Sequence, residues 1–319
     1  MNISVLGCGR WGSFLAWYAH RQGHKVISYG IEDEIFLALQ KTRKNEFVTF
    51  PKDIEITSDL KYAVSSGDII IVSISSQQLR GFLTKVAPLF TSNKKLILCM
   101  KGIEEGSGKR LSTIAMECGF KKEQVAVWVG PGHIQDFTKN IPNCMVIDTH
   151  NAELTKEIVG LFSSDLIRFY YGADLVGTEI GAATKNIFGI AAGVCDGLGC
   201  VSLKGPLMAR GAREVARLIK AMGGNELSAY GLCHLGDYET TLFSPYSHNR
   251  KWGESYTKGE KFTKLAEGVA TAKAVTELAK NHGVDMPITF AVNTMIQDKQ
   301  PPKELLKTFF TRDIKGEFV

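Results

Sequence analysis

The sequence predicts an α/β chain whose N-terminal half forms a doubly wound, mostly parallel sheet and whose second domain is all α. Three observations carry this. Short β-rich runs alternate with helical patterns as far as about residue 172; one of those runs, GDIIIVSIS at 67–75, shows no polar alternation; and past residue 172 the β-rich runs stop. The alternation marks βαβ units and a parallel sheet. A continuously apolar strand is one covered by helices on both faces, so it belongs at the sheet centre. At 319 residues with 44% hydrophobic content and a mean hydropathy of −0.03, the chain exceeds the usual single-domain length and can bury a large core. The expected division is 1–172 and 173–319.

Taken in order, NISVLG at 2–7 reads as the first strand, followed by a helix over 13–21, a strand in KVISYG at 25–30 and a helical stretch at 35–41. The central strand at 68–75 comes next, then KKLILCMKG at 94–102, QVAVWVGPG at 124–132, NCMVIDT at 143–149 and LIRFYYGAD at 166–174. Residues 174–199 and 209–225 read as helices. In the second, Val215, Leu218, Ile219 and Met222 share one face and Gly223 and Gly224 supply the stop. The segment 243–264 shows neither periodicity and contains Pro245, Gly253 and Gly259, so it reads as a long loop of functional use.

Composition excludes several classes. Lys and Arg exceed Asp and Glu by 38 to 33, and the positive charges are scattered, which argues against nucleic acid or a membrane surface as the main partner. Any bound anion is expected to be small. The seven cysteines form no C-x-x-C pair and the seven histidines show no ligand spacing, so neither a disulfide framework nor a metal centre is expected, and a reducing, cytoplasmic setting is. The N-terminus runs straight into a strand pattern, without a charged leader, and no apolar stretch approaches the ~20 residues needed to span a bilayer.

The stretch VLGCGRWGSFLA at 5–16 places Gly7, Gly9 and Gly12 at G-x-G-x-x-G spacing between a strand and a helix. In a dinucleotide-binding turn of the Rossmann type the first glycine permits the tight turn, the second lets a pyrophosphate approach the backbone, and the third allows helix to pack on strand. The phosphates then sit at the N-terminus of the helix that begins near Trp11. The motif alone is weak; its strand-turn-helix context strengthens it. At the end of the second strand, SYGIEDE puts Glu32 twenty residues after Gly12, and no Lys or Arg lies between Lys25 and Lys41. An acid there binds a ribose 2′-hydroxyl, which favours NAD over NADP. Glu32 and Asp33 also suit the start of a helix, where acids are favoured in any case.

Two lysines stand in apolar company. Lys101 follows LILCM at the carboxyl end of a strand, the edge where open α/β sheets bind ligands, although a solvated lysine opening a loop would look the same. In VGTEIGAATKNIFGIAAGV, Gly177, Gly181, Lys185, Gly189 and Gly193 recur every fourth residue and form a nearly continuous ridge, backbone apart from one ammonium. Each helical glycine costs ~1 kcal/mol relative to alanine, so something approaches this backbone closely. A packed helix would leave Lys185 to snorkel out or find a carboxylate; a bound substrate would let it act as an acid or base with a pKa lowered by burial. Asp237, in HLGDYET, is a candidate partner, and equally a turn residue or cap.

With GCGRWGSFLA, KG after a strand, GTEIGAATKNIFGIAAGVCDGLG, LGD, SHNR and EGVATAKAV in this order, residues 1–292 resemble the NAD(P)-dependent glycerol-3-phosphate dehydrogenase family. The resemblance implies a Rossmann domain holding NAD, or NADP, a helical domain closing over it, and glycerol phosphate or dihydroxyacetone phosphate between them. It implies that Lys185 is catalytic, with Asp237 orienting it. On the cofactor side it implies Gly7, Gly9, Arg10, Trp11, Gly12, Glu32, Lys101, Ile134 and Glu267. Beside the substrate it implies Lys101, Gly130, Gly132, Lys185, Asn186, Asp237, Thr241, Ser247, His248 and Asn249. It also implies a homodimer and a role feeding glycerophospholipid synthesis. Three departures stand out: His248 replaces the arginine of the family's S/G-R-N loop, Gly132 and His133 replace a hydroxyl residue and a phenylalanine, and Ile74–Ser76 lacks the proline of V-P-S. A neutral imidazole is a poorer phosphate partner than a guanidinium. Adjacent Arg250 is a candidate substitute, although successive residues point differently. Two other readings remain: a related two-domain dehydrogenase acting on another small hydroxy acid, and a non-catalytic NAD-binding redox sensor.

Overall fold

A computed structural model describes residues 1–314, 316 and 317. Eight strands, β1 (Asn2–Leu6), β2 (Lys25–Tyr29), β3 (Glu55–Thr57), β4 (Ile69–Val72), β5 (Lys95–Leu98), β6 (Val125–Val129), β7 (Asn143–Thr149) and β8 (Ile167–Tyr171), form one sheet in the order β3-β2-β1-β4-β5-β6-β7-β8. Every pairing is parallel except β6 with β7. The order 3-2-1-4-5-6 is that of a Rossmann domain, and the chain reverses direction across the sheet between β1 and β4. Register brings Leu6, Tyr29, Val72 and Leu98 level. The residues just beyond them therefore share one rim, where ligands of such sheets bind.

The strands' apolar faces are covered by helices α1 (Arg10–Arg21), α2 (Glu34–Thr42), α3 (Leu60–Ser66), α4 (Leu79–Val86), α5 (Leu111–Glu117), α6 (Ile134–Phe137) and α7 (Ala152–Phe162). All four residues of β4 are buried, as its uninterrupted apolar run predicts. One core cluster carries Phe14, Tyr18, Trp128 and Phe162; another carries Val64, Leu83, Leu98 and Ile114. Each β-rich run of the sequence contains a strand, and both early helical stretches are helices.

Past β8 the described residues are helical: α8 (Leu175–Gly197), α9 (Lys204–Ala221), α10 (His248–Lys258), α11 (Gly268–Asn281), α12 (Pro287–Gln297) and α13 (Pro302–Phe310). Their core gathers Ile187, Phe188, Val215, Leu218, Tyr238, Val275 and Met295 around α8, the buried axis of this all-α domain. The N-terminal Rossmann sheet and the C-terminal helices reproduce the expected class.

One expectation fails: residues 243–264 are not a long loop, because α10 occupies 11 of them. Ser247 caps it by accepting from the Arg250 N–H at 3.3 Å, and Gly259 ends it in the left-handed conformation at φ 72°. The helix is polar on average and Gly253 interrupts any apolar stripe, so periodicity missed it. Gly253 is there for packing: a Cβ would lie 2.1 Å from the Ile190 carbonyl oxygen of α8.

Candidate active site

The glycine turn behaves as its spacing predicts. Gly7 has φ 113°, and a Cβ on it would sit 2.2 Å from the Ser73 carbonyl oxygen; on Gly12, a Cβ would sit 1.7 Å from the Gly7 carbonyl oxygen. A Cβ on Gly9 would meet nothing within 4 Å. Two glycines are thus demanded by the protein's own packing, whereas Gly9 borders open space at the N-terminus of α1, where no side chain caps the helix. Unsatisfied N–H groups facing open space are what a pyrophosphate requires. The residues present therefore fit a dinucleotide. Trp11 packs on Phe14 and Phe137, with centroids 5.0 and 6.3 Å away, and holds the turn against α6.

Beyond β2, Asp33 caps α2 by accepting from the Phe36 N–H at 2.9 Å. The capping role falls to Asp33, and among the described residues Glu32 accepts from the exposed Ser58 hydroxyl alone, at 2.9 Å. Glu32 thus stands at the end of β2 without a capping role. Across the rim, Glu267, the residue before α11, accepts from the Ser76 hydroxyl at 2.6 Å and the Ser76 N–H at 3.3 Å, so it reaches the loop after β4. The position beyond the central strand marks this loop in the sequence, but Ser76 as the partner of Glu267 emerges only from the fold. Gly130 and Gly132 follow β6 with φ 136° and 148°; Cβ atoms there would meet Met145 Cα at 2.9 Å and the Phe137 ring at 2.4 Å. The hydroxyl residue absent at 132 would not fit this packing. Ile134, at the start of α6, is buried.

Across the cleft, α8 is pinned by close crossings. Added Cβ atoms on Gly189 and Gly193 would come 3.1 Å from Asn249 Cβ and 1.9 Å from the Arg250 carbonyl oxygen, and one on Gly268 of α11 would come 2.6 Å from the Asn186 carbonyl oxygen. The glycine ridge therefore receives helices, chiefly α10. Lys185, midway along it, has the carboxylate such packing demands: its Nζ lies 2.5 Å from Asp237 Oδ2 and donates to the Thr241 hydroxyl at 2.8 Å. The packed-helix reading of the ridge holds, since the helix is packed and the ammonium is paired with a carboxylate.

Lys101 Nζ donates to the same Asp237 oxygen at 2.7 Å and to the Gly130 carbonyl at 2.8 Å. Asp237, fully buried, also accepts from the Thr240 hydroxyl. Burial raises its pKa, but the two ammonium groups outweigh that and hold it below the ordinary carboxylate range. Lys185 moves the other way: burial pushes it down to about 7, with Asp237 opposing and Lys101 assisting. Asp237 sits on a 3-10 turn, Leu235–Asp237, and Thr241 on a π-helical turn, Glu239–Phe243, a distortion frequent at functional sites. Beneath them Tyr238 and His234 are buried and hydrogen-bonded at 2.6 Å, fixing the floor.

Asn249 donates to Asn186 Oδ1 at 3.0 Å and accepts from the Gly268 N–H at 2.9 Å. His248 lies beside the Leu265 carbonyl at 3.2 Å, its pKa lowered by burial and by Arg10. Arg250 does not stand in for an arginine at 248. It is turned away, donating to the Ser244 carbonyl at 3.1 Å and pairing with Asp196, because it lies on the next face of α10. The structure thus links Lys101, Asp237, Lys185 and Thr241 in one group and Asn186, Asn249 and Gly268 in a second, adjoining through the consecutive Lys185 and Asn186 of α8, while the glycine turn and Glu32 lie at the strand-end rim and Glu267 reaches the loop after β4. Among the described residues no His, Cys, Asp or Glu group could hold a metal ion.

Comparisons with known proteins place the chain in a family. The family description "NAD-dependent glycerol-3-phosphate dehydrogenase N-terminus" matches residues 2–155, and the corresponding C-terminus description matches residues 174–307. The NAD(P)+ glycerol-3-phosphate dehydrogenase of Prosthecochloris aestuarii is 36% identical over 99% of this chain and 100% of its own. That of Fusobacterium nucleatum is 33% identical over 99% and 98%. The crystal structure of glycerol-3-phosphate dehydrogenase from Coxiella burnetii superposes with a TM-score of 0.89 at 26% identity, covering 98% of this chain and 99% of that one. The chain belongs to the NAD-dependent glycerol-3-phosphate dehydrogenase family.

Proposed function

We propose that the protein is an NAD(P)-dependent sn-glycerol-3-phosphate dehydrogenase, interconverting dihydroxyacetone phosphate and sn-glycerol 3-phosphate, with Lys185 as the proton donor and acceptor. The observation that carries this is the buried Lys185–Asp237–Lys101 cluster, which Lys101 ties to the same strand-end rim that carries the open glycine turn. A nicotinamide cofactor held at the glycine turn would supply the hydride chemistry at C2. In reduction the Lys185 ammonium donates a proton to the C2 oxygen, and in oxidation the neutral amine removes it. A pKa near 7 lets one amine serve both directions. Asp237 offsets one of the two ammonium charges and orients Lys185, while Thr241 fixes the direction of its Nζ. Asn249 and Lys101 line the place for the substrate's phosphate end. Glu32, free of the capping duty that Asp33 performs, supports a preference for NAD.

The boundary between the cofactor and substrate domains is proposed at 172/173, in the stretch between β8 and α8. Self-association as a homodimer and a cytoplasmic setting belong to the same proposal; the seven cysteines are all free, and among the described residues no helix is long and apolar enough to cross a membrane. The reaction is tested by following NADH and NADPH oxidation with dihydroxyacetone phosphate, beside a small 2-keto acid. Turnover of the phosphorylated ketone, faster with NADH, is expected. Turnover of the keto acid alone would favour a dehydrogenase of another hydroxy acid, and cofactor binding without turnover would favour a redox sensor.

A further inference from the structure

Both ligands of the proposed reaction carry phosphate, so the cations that face the cleft decide how those charges are met. Lys101 and Lys185 both spend their charge on Asp237. Arg250 and Lys204 pair with Asp196. Arg10 differs from all four. It is the first residue of α1, so its backbone belongs to the glycine turn, yet its guanidinium crosses to the other domain. There Nη1 donates to the Tyr246 carbonyl at 3.4 Å, one residue before the Ser247 cap of α10, and Nη2 donates to Gln135 Oε1 at 3.2 Å. Its Cζ lies 5.8 Å from the Phe47 ring centroid. These contacts are long and neutral, and no carboxylate lies within ion-pair distance of it among the described residues. A half-buried guanidinium held by two neutral acceptors has no direct ion pair to offset its burial; Glu46 favours its charge only from a distance, and burial outweighs it. His133 and His248, its neighbours, have their pKa values lowered by burial and then by the Arg10 charge, so neither competes with it for an anion.

Resting on the reaction proposed above, we propose that the Arg10 guanidinium binds the phosphate of the substrate, reaching from the cofactor turn to the start of α10, while the backbone of the same residue serves the cofactor. The specificity for a phosphorylated ketone is then set in part from the Rossmann domain, at a position where a guanidinium arrives from the opposite wall to His248. A planar fork suits a phosphate, and its two long neutral contacts are readily exchanged for charge-assisted ones.

The test uses the full chain with Arg10→Met and Arg10→Lys, circular dichroism confirming that both fold. Inorganic phosphate is titrated calorimetrically into the NADH complex, NADH affinity is measured by fluorescence, and KM for dihydroxyacetone phosphate is measured by NADH oxidation. Arg10→Met is expected to weaken phosphate binding and raise KM by about 10- to 100-fold, the worth of a charge-assisted contact, with NADH affinity changed less than about threefold. Arg10→Lys is expected to recover part of the loss. A weakened NADH affinity with phosphate binding intact would assign the guanidinium to the cofactor and overturn the proposal, as would phosphate binding unchanged in both variants. Because the phosphate titration needs no turnover, a wild-type protein inactive on dihydroxyacetone phosphate would refute the reaction while the Arg10 result was still read.

Discussion

Asp237→Asn removes one negative charge 2.5 Å from Lys185 Nζ and 2.7 Å from Lys101 Nζ while keeping nearly the same shape. Two unit charges 2.5 Å apart interact by about 7 kcal/mol at an effective dielectric constant of 20 and by about 1.7 kcal/mol at that of water. At about 1.4 kcal/mol per pKa unit, the loss lowers the Lys185 pKa by at least about one unit and at most about five. The starting value is about 7, so Lys185 in the variant is a neutral amine across the neutral range. The sign follows: reduction of dihydroxyacetone phosphate needs the ammonium, so its rate in the wild type falls as pH rises through about 7, and in Asp237→Asn the fall comes at least a unit lower. The reverse reaction needs the amine and gains with pH over the same window. The assay is kcat/KM in both directions from pH 5 to 9. A variant with uniformly reduced rates but an unmoved inflection would refute the electrostatic role given to Asp237.

Other consequences concern packing and cofactor choice. Gly193→Ala drives a Cβ into the Arg250 carbonyl of α10, so it should destabilise by about 3 kcal/mol, the upper end for overpacking, in denaturant unfolding; Gly160→Ala in α7, where a Cβ meets nothing, should stabilise by about 0.5–1 kcal/mol. Glu32→Ala should weaken NADH binding by about tenfold while moving NADPH affinity little, which parallel fluorescence titrations check. Buried Glu214 accepts from the N–H groups of Ile288 and Thr289 at 2.7 and 3.3 Å, and burial raises its pKa to about 7. Its folded-state pKa exceeds the ordinary 4.5, so its contribution is full below that value and is lost as pH rises through about 7. The 2.5-unit gap amounts to about 3 kcal/mol, and Glu214→Gln should flatten the fall in melting temperature between pH 5 and 8.

The Rossmann half was legible because its signals are local. Uninterrupted apolar runs such as Ile69–Val72 and the three-glycine turn each declare a strand or a turn without help from distant residues. The Lys185–Asp237 pair was half legible: the ridge around Lys185 announced a close approach, but only folding shows that α10 makes it and that Asp237, 52 residues on, supplies the charge. Helix α10 was missed because its glycine serves a crossing and its surface is polar, so neither periodicity nor composition distinguished it from a loop. The direction of Arg250 and the reach of Arg10 depend on which face of a helix points where, which residue spacing alone leaves undecided.

The central claim is that Lys185 carries the proton, and it is tested by measuring NADH oxidation with dihydroxyacetone phosphate at pH 7 in Lys185→Ala beside the wild type, with NADH affinity measured on both. The account predicts a loss of about a thousandfold in kcat, within the range for a positioned acid, and NADH binding within about twofold. A variant that keeps kcat within about tenfold of the wild type while binding NADH normally would contradict it.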